Sequence, residues 1–203
     1  MKVILLELYK GLGINPTTAE DLEAITFIVI ILLMASAFWL LSKRIFRLIF
    51  SKISKRTKSK FDDYLIKNKI PETLSYFPSL FILINFLPQS LQYFPILEQP
   101  VVLTLEILGA IIYIVLVRRL LNSIKDFLKT LKNFRDKPID SYIQVIMIFV
   151  WFIGVMILFS ILSGKDIGTF LATLGALSAV ILLIFKDTIL GFVASIQVTI
   201  NDT

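Results

Sequence analysis

GTFLATLGALSAVILLIFKDTILGFVASIQVTINDT, residues 168–203, is the stretch on which the reading of this chain turns. No charge interrupts Ile167 to Phe185. At about 1.5 Å of rise per residue, that run is long enough to cross a hydrocarbon layer roughly 30 Å thick. Gly168, Ala172, Gly175 and Ala179 fall at i, i+4, i+7 and i+11, a one-faced stripe of small side chains that lets helix backbones approach closely. Lys186 and Asp187 then stop the span. Beyond them Ile189, Leu190, Phe192, Val193, Ile196 and Ile200 share a broad apolar side, while Ser195, Gln197, Thr199 and Asn201 are polar. Gly191 loosens the chain near the charged pair. This second segment is expected to lie along the membrane interface rather than continue through it.

The rest of the chain points to the same solvent. Of 203 residues 57% are hydrophobic, against about 45–50% in an average soluble domain. Cysteine and histidine are both absent, which removes disulfides, thiol chemistry, histidine-ligated metals and histidine acid–base catalysis. No cofactor or metal is expected. The opening MKVILLELYK has its apolar run broken by Glu7, so it does not read as a cleaved signal peptide.

Charge is concentrated in two belts. Lys43, Arg44, Arg47, Lys52, Lys55, Arg56, Lys58 and Lys60 follow one another without an acid. From Arg118 to Lys137, seven basic residues face only Asp126 and Asp136. Nucleic acid could account for such runs in a soluble protein. Here they flank apolar spans, and the positive-inside rule explains them with no nucleic-acid partner.

Five spans can be drawn: about 22–41, 73–97, 100–119, 141–162, and the one beginning at 167. Asp21 and Glu23 precede the first and the basic belt follows it, which orients the N-terminus outside. The second holds Pro78 and Pro88 with Asn85, Gln89 and Gln92, so a kinked helix is expected there. The short connections at 96–100 and 163–167 should then face outside, and the C-terminus should be cytoplasmic. In Leu120–Phe134, Leu121, Ile124, Leu128 and Leu131 lie on one face with Lys125, Lys129 and Lys132 on another. That pattern fits either an extension of the third helix or a helix resting on anionic headgroups.

Catalysis is poorly served, and no enzyme is expected. Asp62 and Asp63 in KFDDYL are adjacent, so on a helix they point about 100° apart and read as acids at a helix start. GLG at Gly11–Gly13 lacks the third glycine of a phosphate loop and reads as a turn. Glu106 is an intramembrane carboxylate, either a coupling site or a side chain reaching the nearby outer surface. The small-residue stripe suggests packing against copies of itself, because the other spans are bulky. A ring of such helices would enclose a pathway past Ala172, Gly175, Ala176, Ala179 and Leu183. Leu183 could close that pathway by dewetting, with Lys186 and Asp187 at its cytoplasmic mouth. The alternative is that the stripe packs within one monomer.

LGALSAVILLIFKDTILGFVASIQ, residues 174–197, resembles the pore helix and following amphipathic helix of the small-conductance mechanosensitive channel family, MscS. The KDTILG pattern at Lys186–Gly191 is similar to the YbdG-like branch with five membrane helices, and RTKSKFDDYL resembles a further family element. The strong likeness covers about the last 35 residues. It implies an all-α membrane protein whose last helix lines a pore and breaks into a pore helix plus an interfacial helix. Residues 1–166 would then be a four-helix sensing region and 167–203 the pore segment. It implies a homoheptamer in a bacterial inner membrane, opened by tension to release ions and small solutes on hypo-osmotic shock. By the same likeness Ala179 and Leu183 fall on the constriction positions. Asp187 falls where a hinge glycine usually sits, with Gly191 and Ser195 in the second half. Ser178 and Leu182 stand where the best-known members have glycine, and Ala179 replaces a larger constricting residue. Family members continue from INDT into a cytoplasmic domain, so the chain is expected to be part of a longer one. Two rivals remain open: a secondary transporter built on Glu106 and the second span, and a non-conducting scaffold subunit.

Overall fold

The computed structural model describes Tyr9, Gly11 and residues 15–57, 59–134 and 137–201. Among these residues the chain is helical and contains no strand. Helix α1 spans Pro16–Arg56, α2 Phe61–Lys67, α3 Ile70–Leu74, α4 Tyr76–Leu91 and α5 Pro95–Leu128. A short 3-10 turn covers Lys132–Phe134, and α6 (Ile139–Ser163) and α7 (Ile167–Asn201) follow. Five segments are long and apolar enough to cross a membrane: α1, α3 with α4, α5, α6 and α7. The chain is an all-α, multi-pass membrane protein. The turn expected over 11–13 rests on Leu12 and Gly13, and the junction expected at the chain end rests on Asp202 and Thr203. All four lie outside the described residues, as do Lys58 in the first basic belt and Arg135 and Asp136 in the second.

Helix boundaries follow local chemistry more than hydropathy. Lysine and arginine are good helix formers, so α1 does not stop where the apolar run ends at Leu41. It continues through the first basic belt to Arg56, where Thr57 turns extended and its N–H bonds to the Ile53 carbonyl. The second span, expected as one piece over 73–97, is shorter and divided. Pro71 lies in the first turn of α3, a turn at Ser75 separates it from α4, and α4 ends at Leu91. Pro95 is then a helix starter for α5, where its missing N–H costs nothing. Asn85 and Gln89 donate to the Phe81 and Asn85 carbonyls one turn back, which satisfies these amides within α4. The third span extends without a break to Leu128, so residues 120–128 are a continuation of α5. Asp62 and Asp63 lie in the first turn of α2, as read from the sequence.

Two compact units divide the chain, residues 1–158 and 159–203. The core of the first is a cluster of Ile31 and Ala35 from α1, Ile82, Leu87 and Leu91 from α4, and Leu105 from α5. Gly109 lets α5 approach α4 closely: a Cβ there would lie 3.1 Å from Leu80 Cδ2. Gly154 of α6 is tighter, with its would-be Cβ 2.6 Å from Ile114 Cδ1 of α5. Small residues at helix crossings are how membrane helices gain dispersion contact when hydrophobic burial offers little drive.

Candidate functional site

Helix α7 is built from its N-terminus. Ser160 Oγ donates to the Lys165 carbonyl at 2.5 Å, and Gly164 takes φ +65°, a backbone conformation that favours glycine. Asp166 then caps the helix: its Oδ2 accepts the Thr169 N–H at 3.2 Å. Gly168 makes room for that cap, because a Cβ at this position would sit 2.7 Å from Asp166 Oδ2. Phe159 and Phe170 meet with ring centroids 4.8 Å apart.

From there α7 runs uninterrupted to Asn201, through Lys186, Asp187 and Gly191. No break separates a vertical from an interfacial segment. The local sequence explains the continuity: Lys186 is a good helix former, Asp187 and Thr188 are tolerated, and one glycine costs only about 1 kcal/mol in a helix interior. At about 100° per residue, Ala172, Gly175, Ala176, Ala179 and Leu183 lie within an arc of roughly 100°. Lys186 and Asp187 extend that face to roughly the same width, whereas Gly191 and Ser195 have rotated about 100–140° away from its centre. The helix therefore brings the first seven residues to one side and leaves the last two off it.

Exposure along this face is complete. Every residue from Gly175 to Gln197 is exposed, and Leu183, at 71%, is the most exposed large apolar side chain of α7. A Cβ at Gly175 or Gly191 would meet nothing within 4 Å. Thr173 and Ser178 donate their hydroxyls to the Thr169 and Leu174 carbonyls at 2.9 and 2.8 Å, so neither presents an unsatisfied group to hydrocarbon. Among the described residues Lys186 and Asp187 have no ion-pair partner.

A second polar region lies in the first unit, where α2, α3 and α5 converge. Arg119 donates to the Lys69 carbonyl at 3.0 Å and to Thr73 Oγ1. Ser123, fully buried, lies within hydrogen-bond distance of the Tyr64 and Arg119 carbonyls. Asp126 pairs with Lys67 at 3.5 Å and accepts from Asn68 at 3.4 Å. Arg47 of α1 pairs with Glu72 at 3.1 Å, and Asp140 of α6 pairs with Lys129 at 2.5 Å. Of these residues the sequence marked only Arg47, Arg119, Asp126 and Lys129, as parts of the two charge belts. The pairs that tie α1 to α3 and α2 to α5 span 25 to 59 positions of chain and carry no local pattern.

Glu106 is exposed on α5 and shares an open groove of about 330 Å3 with Glu98. Glu23, read as a topology marker, is buried at 3% exposure with Oε1 unpartnered among the described residues. The chain matches no family model and no solved structure.

Proposed function

We propose that the protein is a homo-oligomeric channel of a bacterial inner membrane, opened by lateral tension and passing ions and small solutes. One observation carries this reading. Helix α7 is of membrane length, presents a face of small residues ending in Leu183, and buries none of the residues in its most apolar window. A hydrocarbon-facing anchor has no need of a small-residue face, whereas helices that pack on copies of themselves do. In a ring, that face lines a pathway, and the leucines at 183 close it by excluding water. The likeness of residues 174–197 to mechanosensitive channels adds a heptameric ring, an outside N-terminus and a cytoplasmic C-terminus to the proposal.

Gating needs only that tension favours one of two states. An open ring occupies more membrane area, so tension stabilises it in proportion to the area gained. In this reading α7 bends at Lys186–Gly191 within the assembly, and its second half lies on the cytoplasmic interface, with Gly191 and Ser195 serving the joint. The continuous helix would then be the unbent form of the same segment.

The decisive measurement is subunit number together with conductance. Native mass spectrometry of the purified full chain should return a ring, and excised patches should show currents that rise with suction. Leu183→Ser should wet the constriction, giving a leak without tension and slow growth at low osmolarity. A monomeric particle without conductance sinks the channel reading and favours a scaffold subunit. Substrate-dependent proton flux lost in Glu106→Gln would instead favour a transporter.

A further inference from the structure

The cationic region in the first unit encloses a cavity of about 380 Å3, lined by Lys67, Asn68, Lys69, Arg118, Arg119 and Asn122. Its charge is lopsided. Asp126 pairs with Lys67 and Arg119 is held by Lys69 and Thr73, but the side chains of Arg118 and Lys69 are exposed and have no partner among the described residues. Lys69 is also the one described non-glycine residue with positive φ, at 58°. A lysine in the left-handed region costs about 1–2 kcal/mol, and glycine or asparagine would suit the position better. The Lys69 carbonyl is fixed by Arg119 and by the Thr73 hydroxyl at 2.9 Å, which holds the strained residue at the cavity rim.

On α5 an apolar groove begins one helical turn before this cavity, at Ile112 next to Val115. The groove, of about 350 Å3, lies between α4 and α5 and is lined by Leu80, Leu83, Leu105, Leu108 and Ile112. Leu105, Leu108, Ile112, Val115, Arg119 and Asn122 follow one another by three or four residues, so they form one stripe. The stripe is apolar up to Val115 and polar beyond it. Two cations without a partner among the described residues, beside the Asn122 amide, suit a phosphate, and the neighbouring groove suits a hydrocarbon tail. A soluble anion would need only the first half.

We propose that this composite site binds an anionic phospholipid, with the headgroup phosphate between Lys69 and Arg118 and an acyl chain along the α4–α5 groove. The site depends on membrane insertion alone and not on the channel reading. In such a site, Arg118 and Lys69 supply charge, Asn122 supplies a neutral donor, and Leu108 and Ile112 meet the chain.

The test uses the purified full chain in detergent, with added dioleoyl phosphatidylglycerol, phosphatidylcholine of the same chains, or glycerol phosphate. Phosphatidylglycerol should raise the melting temperature and remain bound in native mass spectrometry, while the other two should do neither. Arg118→Gln and Lys69→Gly should each weaken phosphatidylglycerol binding about fivefold, the effect of one basic residue near an anionic surface. Lys69→Gly relieves the backbone, so it should melt no lower than the parent without lipid, which separates lipid binding from folding. Arg118→Lys should retain binding, and Leu108→Trp, which fills the groove, should weaken it. Equal binding of phosphatidylcholine overturns the proposal. So does undiminished phosphatidylglycerol binding in both charge variants. Glycerol phosphate acting as well as the lipid would make this a soluble-phosphate site and overturn it too.

Discussion

Helices α4 and α7 are both candidate membrane spans, yet their surroundings are opposite. In the α3–α4 segment a third of the most apolar stretch is buried, and α4 carries Pro88, Asn85, Gln89 and Ser90. In α7 the corresponding share is zero, although no charge interrupts Ile167 to Phe185. The less apolar helix is the one packed against its neighbours. In a bilayer this is reasonable, because lipid tails accommodate leucine as well as another helix does, whereas amides need the protein around them. Hydropathy therefore says which segments enter the membrane, and small or polar residues say which surfaces meet protein. The exposed small residues of α7 are the exception that the proposed ring would resolve.

Glycine substitutions probe this contrast directly, because the same change meets a side chain at Gly154 of α6 and open space at Gly175 of α7. Gly154→Ala should have the largest effect. Its new methyl runs into Ile114 Cδ1, and overpacking of this kind costs about 1–3 kcal/mol, read as a lower melting temperature in detergent. Ile114→Val removes the obstructing carbon, so the double variant should recover most of the loss. Additive losses would show that the close approach is not the cause.

Gly168→Ala comes next. It pushes the Asp166 carboxylate off the Thr169 N–H, and the lost cap should cost about 0.5–1 kcal/mol. Gly175→Ala should cost the single protomer nothing, and the better helix former should add up to about 1 kcal/mol. If Gly175 lies between copies, however, a bulkier Gly175→Leu should reduce the ring to smaller species in native mass spectrometry while the dissociated protomer melts normally. An intact ring in Gly175→Leu would mean that the small-residue face does not join subunits.

Much of the membrane architecture could be read from the residues. Five apolar runs between two basic belts marked five spans, and the acids at Asp62 and Asp63 marked the start of α2. What misled was proline and charge. Pro95 looked like part of the second span but starts α5, because a proline suits a first turn better than a helix interior. The basic belt after Leu41 looked like a loop but is the second half of α1, since charge decides topology without ending a helix. The expected joint at Lys186–Asp187 is absent from the continuous α7, whose residues there all tolerate helical geometry. The composite cationic site was not legible at all. Lys69 and Arg119 are 50 positions apart in sequence, and neither belongs to a motif.

Helix α1 carries a mechanical consequence of its own. Its 41 residues reach about 60 Å, roughly twice the hydrocarbon thickness, and nothing in the Lys43–Arg56 half loosens it. A rod of that length converts small rotations into large strokes. A tilt of about 10° about its N-terminal end would sweep Arg56 sideways by roughly 10 Å. Arg47, part-way along the rod, is tied to Glu72 beside the cationic cavity, so the stroke would be felt there as well. Thinning or stretching of the bilayer, which changes helix tilt, would thus be reported at the C-terminal end of α1 with gain.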